Sequence, residues 1–193
     1  MSGGTQSDAK LAAAKKEEAG KGARPLPASG SSTRVSAPRK QEPVIVLVAG
    51  GKVMAIPAGA VHEIRSTDSL AGEAAMLEQA EFPWVRHTIE RGGATHYVVN
   101  VGGFFGLPRT RPSLVLVLRG VRCALLVDRI ERMDALSAIY ALPRAFQGDE
   151  RRWYLGLALF EDGAMPMLNP RGLLTSEHLE RLDARAVAGA VPA

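Results

Sequence analysis

The residues of this chain whose types could do chemistry are four histidines, one cysteine, adjacent carboxylate pairs and a glycine cluster. His62, His87, His96 and His178 fall in separate segments, and none stands at the H-x-x-x-H spacing that aims two imidazoles at one metal. A site assembled only in the fold stays open, and surface or strand-edge histidines are the plainer reading. Cys123 is the single cysteine and lies between Arg122 and Ala124. It can close no internal disulfide and no thiolate cluster, and it reads as a small core residue. The chain has no G-x-S-x-G elbow. Gly102, Gly103 and Gly106 are not followed by Lys-Ser or Lys-Thr, and Pro108 blocks a helix there, so turn chemistry explains them better than a phosphate loop. Asp149-Glu150 and Glu161-Asp162 sit in turn-like segments with no partner to perturb their pKa. No residue set here calls for catalysis, a metal or a cofactor.

The elements that carry these residues belong to a chain of 193 residues with 46% hydrophobic content, enough for one compact domain or two small lobes. Its longest apolar runs fall far short of the roughly 18 residues that cross a bilayer, and the N-terminus lacks the apolar core of a secretory signal. A soluble cytoplasmic protein without membrane insertion is expected. The formal charge of +4 invites a nucleic-acid reading, but residues 1–43 hold eight Lys and Arg against four Asp and Glu, whereas the other 150 residues balance 16 against 16. A neutral body lacks the field that draws a protein to phosphates, and aromatics at 5% are too few for a stacking platform. Residues 1–43 are rich in Ala, Gly, Ser, Pro and Lys, with only Leu11, Leu26 and Val35 as sizeable apolar groups. They read as a disordered basic arm, and deleting residues 1–40 is expected to leave the melting temperature almost unchanged.

Beyond Pro43 the pattern is short apolar runs separated by turns. Residues 44–48 and 53–57 form a hairpin about Gly50-Gly51, and residues 113–118 and 121–127 repeat it about Arg119-Gly120. Residues 97–101 form a strand ended by Gly102-Gly103, and 154–160 with 165–168 form a last hairpin. Ser176 is placed to cap a final helix reaching about Ala188, with Leu179 and Leu182 inward. Strands this short and this closely spaced predict an all-β fold, and the doubled hairpin predicts two small barrels side by side.

The order of these segments resembles the CheW family, the adaptors of bacterial chemosensory arrays. Residues 45–65, IVLVAGGKVMAIPAGAVHEIR, resemble the family's opening hairpin and its V-x-E-[IV] pattern, here Val61 to Ile64. Arg91-Gly92 resembles the end of N-L-R-G, and residues 98–101 resemble the P-[VI]-V-D-L strand. Residues 114–133, LVLVLRGVRCALLVDRIERM, follow the second hairpin and its V-D-x-[VI] run, and residues 154–174 resemble the closing hairpin with L-[ND]-x-x-x-L-L.

The resemblance implies two five-stranded barrels of the Src-homology-3-like kind over residues 44–174, followed by a helix and tail over 175–193. It implies no catalysis, no cofactor, and a bridge between methyl-accepting receptors and the regulatory domain of a CheA-type histidine kinase, at membrane-associated receptor arrays. Carried over by position, the partner-binding residues are Val61, Glu63, Arg91, Ile130 and Met133. Ile130 and Met133 also fit as core residues after a strand, and Glu63 and Arg91 each also fit as an exposed charge in some ordinary surface salt bridge. The chain departs from the family at Ile89 and Glu90, where Asn and Leu stand in N-L-R-G, and at Tyr97 and Asn100, where the strand has Pro and Asp. These changes imply a diverged member, of a pilus-motility or other alternative system. The competing classes are a small-barrel nucleic-acid binder using the basic arm, and an enzyme whose site forms only in three dimensions.

Overall fold

An apolar run without polar alternation, such as residues 44–49, is the pattern of a strand covered on both faces. The structure, a computed structural model, describes residues 34–36, 42–70, 74–77, 81–136, 138–161 and 163–189. Its strands are β1 (Arg34–Ser36), β2 (Glu42–Ala49), β3 (Lys52–Pro57), β4 (Val61–Ser66), β5 (Ala74–Met76), β6 (Val85–Arg91) and β7 (Ala94–Asn100). A four-residue helix α1 (Val101–Phe104) leads to β8 (Leu114–Leu118), β9 (Cys123–Val127), β10 (Arg129–Leu136) and β11 (Ala138–Tyr140). Helix α2 (Glu150–Trp153), β12 (Tyr154–Phe160), β13 (Gly163–Leu168) and helix α3 (Ser176–Gly189) complete the chain.

Two sheets result, in the orders β1-β11-β12-β13-β3-β2-β10 and β4-β8-β9-β7-β6-β5. In the first, β10 pairs with β2 and β11 pairs with β12, yet one residue separates β10 from β11. The same stretch of chain therefore borders both ends of the sheet and rolls it into a five-stranded barrel. The second sheet is arranged alike: β4 pairs with β8 at one end of the order, and β5, the next strand in the chain, pairs with β6 at the other. The expected pair of barrels is thus observed, with the longer strand counts arising from one split stretch in each sheet and from β1.

Chain order distributes the barrels unequally. The inserted barrel uses β4 to β9 in unbroken sequence, whereas the terminal barrel takes β2 and β3 from the start of the chain and β10 to β13 from its end. Position by position they match: the hairpin β2-β3 occupies the place of β8-β9, and each hairpin continues into one parallel pair, β3 with β13 and β9 with β7. The weak repeat seen in the sequence is this topological repeat, circularly permuted between the two barrels.

Of the arm expected to be disordered, Arg34–Ser36 pairs with β11, and Glu42 with Pro43 begins β2. The remainder of residues 1–41 lies outside the described residues.

Strand pleating sorts side chains into three cores. In β2, Val44 and Val46 face the interior of the terminal barrel with Phe160 and Met167, while Ile45, Leu47 and Ala49 face a central core between the barrels. In β8, Val115 and Val117 face the inserted barrel, and Leu116 and Leu118 join the same central core. Both faces of these strands are buried, which leaves no room for a charged residue on either. Asp128, between β9 and β10, joins the barrels further. Its carboxylate accepts the Gly51 N–H at 3.3 Å and the Thr110 hydroxyl at 2.5 Å. Gly50 has φ +57°, and a β-carbon added there would collide with Leu107, so a side chain meets both a strained backbone and the neighbouring barrel.

Six aromatic rings, Phe82, Trp84, Phe104, Phe105, Trp153 and Tyr154, form a continuous chain beside the central core, with centroids 4.9–5.9 Å apart. His178 of α3 lies against Phe82 at 5.2 Å. Helix α3 begins one residue earlier than its expected cap, because the Thr175 hydroxyl accepts the His178 N–H at 3.2 Å. Leu182 is buried in the central core, and Asp183 holds the helix to the inserted barrel. The Asp183 carboxylate takes both Arg122 terminal nitrogens, at 2.9 and 2.6 Å, and the Tyr97 hydroxyl at 2.6 Å. Arg122 holds the Asp183 carboxyl below its ordinary range, while burial and Asp183 push the fully buried Tyr97 phenol upward.

Removing the carboxylate leaves a buried phenol without its acceptor, so Asp183→Ala should cost about 1–3 kcal/mol in urea denaturation, and much less once Tyr97→Phe has removed the donor. An unchanged midpoint in Asp183→Ala would show that the helix is held by Leu182 alone. A second expectation concerns acid. Burial, then Arg152, depresses the His178 pKa, with Arg181 adding to the effect and Glu177 and Asp149 opposing it; the neutral ring accepts the Thr175 N–H through Nδ1. The unfolded chain then binds the proton more readily, so this contribution is intact above a pH of about 6.5 and is lost as pH falls below it. Melting temperatures at pH 7.5 and pH 5 should differ less in His178→Asn than in the parent, and equal differences would exclude His178 as the source.

Candidate functional site

Strands whose outer face stays free can carry polar residues, and the inserted barrel places two such strands at its closing seam. β4 reads Val-His-Glu-Ile-Arg-Ser and β6 reads Val-Arg-His-Thr-Ile-Glu-Arg, both with burial that alternates in part. Glu63 lies opposite Val117 and Arg65 opposite Val115, so both extend from the side of β4 that faces the small barrel core of Leu70, Ile89, Val98, Val115, Val117 and Ala124. Arg91 ends β6 on the same side as Ile89, next to the Gly92-Gly93 turn. The Arg91 guanidinium donates to the Glu63 carboxylate across the seam, joining strands that stand at nearly opposite ends of the sheet order. Arg65 stands 3.9 Å from the same carboxylate and donates to the Ser69 carbonyl at 3.0 Å. Each partner of the Glu63–Arg91 pair keeps about a third of its side chain exposed. A pair at that exposure contributes about 0–1 kcal/mol, so its larger effect is to fix the shape and charge of the barrel mouth.

The five residues singled out from the sequence separate into three settings. Glu63 and Arg91 meet, although 28 positions apart in the chain. Val61 is buried at 9% exposure in the central core, and Ile130 is half-buried against that core, opposite Leu47 of β2. Both support the junction between barrels. Met133 lies opposite Ile45 on β10 and is 66% exposed, at the rim of the same face. Ile64, beside Glu63 and 42% exposed, adds an apolar group to the outer side of β4. Of the five residues, Glu63, Arg91 and Met133 therefore reach the surface, with Ile64 exposed beside Glu63.

Sequence reasoning missed two constellations. The Tyr97–Arg122–Asp183 cluster joins a strand, a turn and the last helix, and no spacing rule connects residues 97, 122 and 183. The aromatic chain was hidden because its rings come in pairs from distant segments. Tyr97 and Asn100, the departures from the family strand, both have structural work. Tyr97 supplies the hydroxyl to Asp183, and the Asn100 side-chain oxygen accepts the Gly103 N–H at 2.8 Å, as a carboxylate would, to cap α1.

Among the described residues no group of three His, Cys, Asp or Glu is placed to hold a metal ion. Cys123 is buried in the central core, which pushes its thiol up to about 12 and keeps it protonated at neutral pH. Among the described residues no helix is long and apolar enough to cross a membrane.

Comparison with known proteins accords with this architecture. The family model of the CheW-like domain matches residues 36–178, about three quarters of the chain. Among solved structures, the scaffolding protein TtCheW from Thermoanaerobacter tengcongensis superposes with a TM-score of 0.58 at 15% identity, covering 72% of this chain and 96% of that one. No curated protein matches the chain. The family model spans β2 to β13 and thus both barrels, so the chain belongs to the CheW-like domain family.

Proposed function

We propose that this protein is a non-catalytic chemosensory adaptor that couples methyl-accepting receptors to the regulatory domain of a CheA-type histidine kinase. The observation that carries the reading is family membership over both barrels. The solved relative's description as a scaffolding protein supports the same role. An adaptor needs two surfaces at a fixed separation, and the shared central core supplies that rigidity. In this reading the Glu63–Arg91 mouth forms one contact and the exposed Met133 another. Val61 and Ile130 hold those contacts in register from beneath. The protein works in the cytoplasm at receptor arrays, through differential binding of its partners rather than through a cofactor.

The charge arrangement at the seam gives the test. Arg91→Glu sets two carboxylates against each other where a pair stood, and both side chains are partly exposed, so the fold survives. Recovery with receptor-bearing membranes should fall at least fivefold, about 1 kcal/mol, with the melting temperature little changed. The exchange Glu63→Arg with Arg91→Glu should restore part of the loss if the pair itself shapes the surface. Receptor recovery unaffected by Arg91→Glu would remove this mouth from the interface.

A further inference from the structure

The end of the inserted barrel opposite the Glu63–Arg91 mouth opens into a cavity of about 520 Å³. In the β6-β7 hairpin Arg91 pairs with Ala94 beside the turn, whereas Val85 pairs with Val99 at the far end, where this cavity lies. Its walls are of two kinds. Val98 and Leu126, at the edge of the small barrel core, give it an apolar floor, and Trp84 adds a ring. Arg86, His87 and Arg109 give it nitrogen donors.

The polar wall is one-sided. Arg86 commits its Nε to the Pro83 carbonyl at 3.2 Å, and its terminal nitrogens have no partner among the described residues. Arg109 makes no side-chain hydrogen bond or ion pair among the described residues. No carboxylate lines the cavity. Asp128, which lies behind Thr110, is taken by the Thr110 hydroxyl and the Gly51 N–H. Residues 44–193 balance 16 cations against 16 anions and eight arginines among the described residues are ion-paired, whereas Arg86 and Arg109 stand beside one cavity that no carboxylate lines. Independently, the Trp84 indole N–H is buried without an acceptor, the single such side-chain atom among the described residues. A buried donor left unpaired costs about 1–3 kcal/mol, and structures rarely tolerate one without a ligand or water to answer it.

We propose that this cavity binds a small phosphate monoester, with the Arg86 and Arg109 guanidiniums taking the phosphate and Trp84, Val98 and Leu126 taking an apolar or aromatic group attached to it. Two guanidinium forks ask for more acceptor oxygens than one carboxylate presents, and a phosphate supplies them in the geometry that arginine matches best. The volume lies within the range of small-molecule sites and far exceeds that of a bare oxyanion. The site is separate from the adaptor surfaces and stands whether or not the adaptor reading does.

The test follows the two indole N–H resonances of the full-length protein, from Trp84 and Trp153, while phenyl phosphate is added. The Trp84 signal should shift saturably, with inorganic phosphate at least about tenfold weaker and phenol without effect. The double variant Arg86→Gln, Arg109→Gln should weaken binding at least about tenfold with an unchanged melting temperature, since both side chains are exposed. Arg109→Gln alone, which removes no contact among the described residues, should weaken it severalfold. No saturation at millimolar phenyl phosphate, an equal shift with phenol, equal affinity for inorganic phosphate, or indifference to both variants would each overturn the assignment.

Discussion

A strand buried on one face can carry charge on the other, but the inner residues of β2, β3, β8 and β9 have no such freedom. One side of each lines its own barrel and the other lines the core shared between barrels. That double burial fixes the relative position of the two barrels, since sliding one past the other would expose Ile45, Leu47, Leu116 and Leu125 together. It also decides where partners can bind. With the inner residues of the central strands covered on both faces, much of the polar and exposed surface falls on β4, β6, β10 and β12 and at the barrel ends.

The barrel seams are where structure and proposed function meet. Each sheet closes through a stretch that pairs with one neighbour, bends, and pairs with another. Such a stretch exposes alternate residues, and Glu63 and Met133 both lie on one. The Glu63–Arg91 pair is therefore both a structural tie and a surface feature, and the two readings that its residues carried in the sequence describe one arrangement. Asp128 and Asp183 are different. Each carboxylate is saturated by fixed donors, one joining the barrels and the other joining α3 to the inserted barrel, and neither is free to meet a partner.

The legible part of the fold was the part under the strongest constraint. Residues 44–49, 114–118 and 123–127 are uninterrupted apolar runs, and all proved to be strands buried on both faces. The β4, β6 and β10 strands escaped a reading by composition because Val-His-Glu-Ile-Arg-Ser and Arg-Ile-Glu-Arg-Met-Asp-Ala-Leu alternate apolar with charged residues and contain no continuous run. Barrels were expected, but the strand pairings that join each barrel's ends were out of reach, since they link residues far apart in the chain. The site was legible only by resemblance. That resemblance selected Glu63 and Arg91 without revealing that they touch, and selected Val61 without revealing that it is buried.

The permuted repeat has a consequence for synthesis on the ribosome. The inserted barrel is encoded without interruption from β4 to β9, so all its strands are available once residue 127 has emerged. The terminal barrel cannot close then, because β2 and β3 have been made while β10 to β13 have not. For that interval the hairpin β2-β3 has the inserted barrel as its one cover and leaves Val44, Val46 and Ala55 without their later partners. The nascent chain thus carries a half-built sheet with an open edge, which only the last third of the sequence can close.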